Sequence, residues 1–295
     1  MLIDIHTHTY PTSDDSELTP EELISEAKRI GLDGICLTDH DGFWDPRDVE
    51  KLGKDNDYLV IPGCEVTTEE GHLLVYGLSE YIFGMHKSSF VHELVKEAGG
   101  AIVVAHPYRR VYRETAPQDP KSYDEMLKRA LRNRVFGMVD GVEIRNGRGS
   151  ERENIFSERL SEKLNMSGTG ASDAHKLSDI GTFATRFQEK VTGLDDLIRC
   201  IKSGRFSSER VRPLHSSQLR KSLQNSTYFN FNAQSARSVG SRQAPQIEIL
   251  ALYLIRHPKS NHAWMQMTSW SISSPYLKSF AKDSLKEKVF FLCRN

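Results

Sequence analysis

Short apolar runs that each hand the chain to a histidine, aspartate or glutamate recur as far as residue 175, and that recurrence limits the fold more than any other feature. Residues 2–5 give way to His6-Thr7-His8, and residues 34–38 run into Asp39-His40-Asp41. Residues 59–62 lead to Gly63-Cys64-Glu65, and residues 101–105 end in His106-Pro107. Residues 141–144 carry Glu143 and lead to Arg145-Asn146-Gly147, and residues 168–171 end in Ser172-Asp173-Ala174-His175. Apolar, β-prone runs this short read as buried strands. Residues 72–78 form a further strand that differs in beginning with its histidine, His72. Strand side chains alternate, so His6 and His8 point to one side, a common way to begin a metal site.

Helical patterns separate the strands. Thr19-Pro20-Glu21-Glu22 opens the first, with Thr19 as cap, Pro20 at the first helical position and Glu22 completing a capping box. Gly31 closes it. Amphipathic stretches cover residues 90–98 and 194–201, and residues 121–133 and 152–164 also read as helical. This alternation predicts a parallel sheet of roughly seven strands, a barrel-like α/β domain over residues 1–212. In parallel barrels the C-terminal strand ends share one face, where chemistry sits. Six of the eleven histidines (6, 8, 40, 72, 106 and 175) fall at strand ends or starts. His86, His92, His215, His257 and His262 read as surface or loop residues.

The chain has 295 residues with no apolar run near the ~18 a membrane span needs, and no signal-peptide pattern precedes Asp4. A cytoplasmic location without membrane partners is therefore the expectation. Cys36, Cys64, Cys200 and Cys293 are scattered, which favours reduced thiols over a disulfide frame. Residues 216–295 hold eleven Lys/Arg against three Asp/Glu, so with an overall charge of −1 the preceding 215 residues carry −9. An acidic body suits carboxylates that bind cations. Residues 213–295 are set apart as a non-barrel C-terminal extension, rich in Ser, Gln and Asn over residues 215–245, with an apolar run at 246–255. Their basic excess bears on nucleic acid only weakly.

Taken in order, Asp4-Ile5-His6-Thr7-His8, Leu37-Thr38-Asp39-His40-Asp41, Gly63-Cys64-Glu65-Val66-Thr67, Gly71-His72, Ala105-His106-Pro107 and Ser172-Asp173-Ala174-His175 resemble the successive motifs of the PHP (polymerase and histidinol phosphatase) family. Residues 181–187 resemble the closing segment of many small members. The resemblance implies a distorted (β/α)7 TIM-like barrel holding two or three divalent ions (Zn, Mn or Fe), and a metal-dependent phosphoesterase. Carried over position by position, His6 and His8 would bind one ion with Asp173 and a bridging Glu65. Glu65 would bind a second with His72 and His106, while Asp15, His40 and His175 would hold a third. Asp14 is a neighbouring rival to Asp15. Glu65, Asp173 and His175 are the candidate catalytic residues.

The chemistry of the residues agrees. Imidazole and carboxylate donors without thiolates suit Zn²⁺, Mn²⁺ or Fe²⁺ and argue against a purely structural zinc. Paired ions lower the pKa of water toward about 7 and neutralise phosphoryl oxygens, so no covalent nucleophile is required. Neither a G-x-S-x-G motif nor a P-loop competes. Arg109, Arg145 and Arg148 are candidate phosphate contacts, with Arg110, Arg113, Asn146 and Arg186 beside them. The bland alternative for each is a solvated loop or an ion pair. Asp39 is expected to orient an imidazole; Asp41 and Glu143 divide between site and scaffold. The expected substrate is a phosphomonoester or terminal phosphodiester on a small molecule, nucleotide or oligonucleotide. The short span from His72 to His106 leaves no room for the lid of the nucleotide bisphosphate phosphatase branch. An amidohydrolase-type C–N hydrolase and a non-catalytic metal-binding scaffold are the rival readings.

Overall fold

The computed structural model describes residues 1–111 and 120–212; Arg113, the side chain of Arg110 and the extension at 213–295 lie outside the described residues. The first half runs β1 (Leu2–Thr7), α1 (Pro20–Arg29), β2 (Gly34–Leu37), α2 (Pro46–Asp55), β3 (Leu59–Pro62), β4 (Cys64–Thr68), β5 (Gly71–Tyr76) and α3 (Ser88–Glu97). It continues through β6 (Ala101–Val104), α4 (Tyr108–Val111), α5 (Pro120–Leu131), β7 (Gly141–Asn146) and α6 (Glu151–Leu164). The described part closes with β8 (Gly168–Ala171), β9 (Ala184–Phe187), α7 (Leu194–Ser203) and β10 (Phe206–Glu209). The Thr19 capping box forms as expected, and Gly31, at φ +83°, lies just past the end of α1.

The strands number ten among the described residues, not seven, and they form two mixed five-stranded sheets instead of one parallel sheet. One sheet has the order β10-β9-β1-β2-β3, the other β4-β5-β6-β7-β8. β1, β2 and β3 are parallel, as are β6, β7 and β8, but β5 runs antiparallel to both β4 and β6. β9 pairs antiparallel with β1 and β10. The break between β3 and β4 falls at Gly63, where a Cβ would stand 2.9 Å from the Tyr76 ring. Only glycine lets the chain pass that ring as it leaves one sheet for the other. Two isolated parallel bridges, Thr7 with Ala174 and His40 with Glu65, join the sheets at the polar end.

Period-two alternation divides the buried side chains between two faces. Ile3, Ile5, Cys36, Leu74, Tyr76, Val103 and Ala171 share one cluster, to which both sheets contribute. Their neighbours Leu73, Val75, Ile102 and Val104 pack with Val91 and Val95 of α3 and Phe156 and Leu160 of α6. Ile35 and Leu37 pack with Leu23, Ile24 and Ala27 of α1 and Val49 of α2. The Tyr76 hydroxyl donates to the Ile5 carbonyl at 2.6 Å and ties β5 to β1 through the interior. The cysteines Cys36, Cys64 and Cys200 are buried free thiols. No helix among the described residues is long and apolar enough to cross a membrane.

Candidate metal centre

His6 lies inside β1 and His8 just beyond it, and both are fully buried. His40 follows β2, Glu65 is the second residue of β4, and His106, Asp173 and His175 follow β6 and β8. His72 sits at the beginning of β5, and the antiparallel run of that strand explains why: its start lies beside the end of β6, with Leu73 opposite Val104. A strand start and several strand ends thus reach one place. Asp41 (φ +50°), His106 (φ +24°) and Asp173 (φ +54°) all adopt positive φ. Strain of this kind persists where surrounding contacts fix the backbone, and it gathers at functional sites.

Glu65 is the centre of the arrangement. Its Oε1 lies 2.7 Å from His72 Nδ1 and 2.8 Å from His106 Nε2. Its Oε2 lies 3.2 Å from His6 Nε2, 3.3 Å from His8 Nε2 and 2.9 Å from His40 Nδ1. Asp173 Oδ1 stands 3.7 Å from His6 Nε2 and 3.3 Å from His8 Nε2, and those two nitrogens are 3.0 Å apart. Four ligands bound tetrahedrally at about 2.0–2.1 Å stand about 3.3 Å from one another, so this inner set has the spacing of a cation's coordination shell. Glu65 Oε2 and Asp173 Oδ1 are buried oxygens that receive no well-formed hydrogen bond among the described residues. An orphaned anionic pair facing two imidazole nitrogens fits a divalent ion.

Towards the mouth, His8, His40 and His175 form a second gathering, with the His8 ring centroid 4.2 Å from each of the other two. Asp15 Oδ2 joins it, 3.2 Å from His175 Nε2 and 3.6 Å from His40 Nε2. Asp14 makes no ion pair with these imidazoles among the described residues, so Asp15 is the one the loop brings in. This outer set is wetter: the Asp15 side chain is 49% exposed and that of His40 29%, against 0% for His6 and Glu65.

Charge in the inner set is tightly shared. Burial alone would raise Glu65, but His6 and the contacts from His106 and His40 outweigh it and hold the carboxyl well below its usual range. Asp173 is likewise held low against burial by His6 and His8. Burial opposes a charge on His6, yet Glu65, Asp173 and Glu143 raise it well above the ordinary imidazole value. His175 goes the other way, pushed down to about 4 by burial and then by the neighbouring His8.

A hydrogen-bonded layer fixes the donors. Glu143, buried on β7, meets His6 Nδ1 at 3.0 Å through Oε1 and accepts from the His106 N–H at 2.8 Å through Oε2. Asn146 donates to Glu143 at 2.9 Å and to Asp173 Oδ2 at 3.1 Å. Asp39 accepts from the Thr9 N–H, the Thr9 and Ser13 hydroxyls and the Trp44 indole, while Ser13 Oγ faces His8 Nδ1 at 3.2 Å. Asp39 therefore acts on His8 through Ser13, a residue that carries no motif and went unnoticed in the sequence. The Asp41 carboxylate accepts from the Thr67 N–H and belongs to the scaffold.

The candidate phosphate-binding arginines separate. Arg109 donates to Asp173 Oδ2 and to Asn146 Oδ1, each at 2.6 Å, so its fork is spent on positioning a carboxylate. Arg145 is paired with Glu151 and Glu158 of α6, and those carboxylates meet both ends of its guanidinium. Arg186 pairs with Glu209 across β9 and β10. Arg148 alone of these reaches a candidate metal-ligating imidazole, 2.8 Å from His175 Nε2.

The chain is similar to known proteins in sequence and in fold. The PHP domain family model matches residues 4–100, and the PHP-associated model matches residues 151–206. The chain is 28% identical over 157 residues to the uncharacterized protein MJ1587 of Methanocaldococcus jannaschii, a match covering 50% of this chain and 82% of the other. It is 36% identical over 64 residues to the error-prone DNA polymerase of Nocardia farcinica, covering 22% of this chain and spanning only 6% of that polymerase. A two-domain Bacteroides vulgatus protein, described as containing a PHP-like metal-dependent phosphoesterase, superposes with a TM-score of 0.51 at 18% identity, covering 76% of this chain and 69% of that one. PsfC of Pseudomonas syringae superposes with a TM-score of 0.50 at 16% identity, covering 77% and 96%. At such identities the likeness is one of fold. Residues 4–100 thus match the PHP domain family and residues 151–206 the PHP-associated family, and the imidazole–carboxylate cluster draws its residues from both segments and from the stretch between them.

Proposed function

We propose that this protein is a metal-dependent phosphoesterase that hydrolyses a phosphomonoester or terminal phosphodiester with activated water. One observation carries the reading: Glu65 turns Oε1 to His72 and His106 and Oε2 to His6 and His8, all within a buried pocket. A carboxylate divided in this way is what a pair of divalent ions needs. On this reading His6, His8, Glu65 and Asp173 hold one ion, and Glu65, His72 and His106 hold a second. Asp15, His40 and His175 hold a third. The donor set suits Zn²⁺, Mn²⁺ or Fe²⁺. Ions bound there supply Lewis acidity toward the phosphoryl group and activate water at neutral pH.

The chain's own residues do the rest. Asp173 Oδ1 faces His6 and His8 as a ligand would, while Arg109 and Asn146 fix the other oxygen of the same carboxylate. Glu65 would offer one oxygen to each of two ions, and His175 stands beside Asp15. The bridges Thr7–Ala174 and His40–Glu65 support reading β1, β2 and β4 to β8 as a distorted (β/α)7 barrel around this pocket. A nucleotide or oligonucleotide phosphate is the proposed substrate class, supported by the likeness to a polymerase segment. Only a loop and α3 intervene between β5 and β6, so a large nucleotide lid is not part of the proposal. Buried thiols at Cys36, Cys64 and Cys200 suit a reducing cytoplasm. The test is phosphate release from monoesters, nucleotides and short oligonucleotides with Mn²⁺, Zn²⁺ or Fe²⁺ added in turn, beside a panel of C–N substrates. Release that requires metal supports the reading; C–N hydrolysis alone, or inert protein that binds metal, would overturn it.

A further inference from the structure

We infer that the guanidinium of Arg148 and a third cation compete for a single lone pair, that of His175 Nε2, so that the chain binds two ions tightly and a third only when Arg148 swings away. The inference rests on the metal-centre reading above and concerns its outermost position alone.

The tautomer of His175 is fixed by its other nitrogen. Nδ1 lies 2.9 Å from the Asp173 carbonyl, which can only accept, so Nδ1 carries the proton and Nε2 the lone pair. Arg148 has only donors to offer, and its NH1 lies 2.8 Å from that Nε2. Asp15 Oδ2 stands 3.2 Å from the same nitrogen, the carboxylate a third ion would share with His40 and His175. An imidazole nitrogen has one in-plane lone pair and serves one donor or one cation, never both. A guanidinium beside a divalent ion is also repelled by it.

The inner set is built differently. Arg109 reaches Asp173 through Oδ2 and leaves Oδ1 to face His6 and His8, so it positions the carboxylate without taking the ligand atom. Arg148 takes the ligand atom itself. Its residue is exposed, and its backbone N–H is tied to Asn146 Oδ1 at 3.0 Å, so the side chain can turn outward while the loop stays in place.

The experiment is a Mn²⁺ titration of the full chain after chelator treatment, followed by calorimetry and by elemental analysis of bound metal. The wild-type chain is expected to take up two ions tightly and a third in a weaker step. Loss of a charge-assisted hydrogen bond that must be broken for binding strengthens the third step by about tenfold in Arg148→Met, with the first two steps unchanged. Adding Asp15→Asn to Arg148→Met abolishes the gain, which assigns it to the outer position. Arg148→Gln serves if the Met variant does not fold. A third step of equal strength in the wild-type chain and the variant would overturn the inference while leaving the metal centre intact. A wild-type chain that takes up no Mn²⁺ would overturn both.

Discussion

The inner and outer parts of the centre are made from the same residue types but by different means. His6, His8, Glu65 and Asp173 stand on or just after strands, 0–1% exposed; Glu143 meets His6, Ser13 meets His8, and Asn146 and Arg109 hold Asp173. Asp15 comes from an exposed loop, and the Nε2 of His175 is met by the guanidinium of Arg148, an exposed residue. Donors fixed before a cation arrives lose little freedom on binding it, whereas loop donors must be ordered at that moment. On the proposed reading, the comparison separates a preformed inner centre from an outer position that would exchange.

Removing the shared carboxylate tests that contrast with the largest effect. Glu65→Gln removes the carboxylate that four buried imidazoles share; phosphate release should fall at least about a thousandfold, and unfolding in urea should show a loss of about 3–5 kcal/mol. Asp15→Asn, by contrast, should leave unfolding within about 0.5 kcal/mol of the wild-type chain. Equal losses in the two would erase the distinction. Next in size is Leu74→Ala, which hollows the wall opposite Glu65 in the β4–β5 pairing and should cost about 2–5 kcal/mol. It should also weaken the inner ions in a metal titration while sparing the outer one.

Arg109→Met sharpens the account of the support layer. Losing the donor to Asp173 Oδ2 should weaken the inner ions by about ten- to a hundredfold, with circular dichroism unchanged. The smallest effect belongs to Thr19→Ala, which removes the cap of α1 just beyond the Asp15 loop and should cost about 1 kcal/mol in thermal or urea unfolding. A shift in inner-ion affinity in that variant would contradict the separation of the two parts.

Much of the centre was legible in the sequence because strand periodicity and strand ends are local signals. His6 and His8 share a side through alternation, and Asp173 and His175 follow a small-residue strand. His72 looked anomalous as a strand start only because the sheet was expected to be parallel; the β4–β5 turn reverses the chain and brings that start to the same mouth. β9 (Ala-Thr-Arg-Phe) and β10 (Phe-Ser-Ser-Glu) are as long as β2 or β6 but lack their continuous apolar character, and they form by pairing with β1 and with each other. The arginines were the least legible. Whether Arg109 grips Asp173 or Arg145 turns to Glu151 and Glu158 depends on partners 64, 6 and 13 positions away, which no local pattern reports.

The most direct test of the central claim is elemental analysis of the full chain and its Glu65→Gln variant, purified without chelator and compared as ions per chain. If one carboxylate divides its oxygens between two cations, the wild-type chain carries at least two and the variant loses both. A wild-type chain without divalent metal, or a variant with undiminished content, would contradict it.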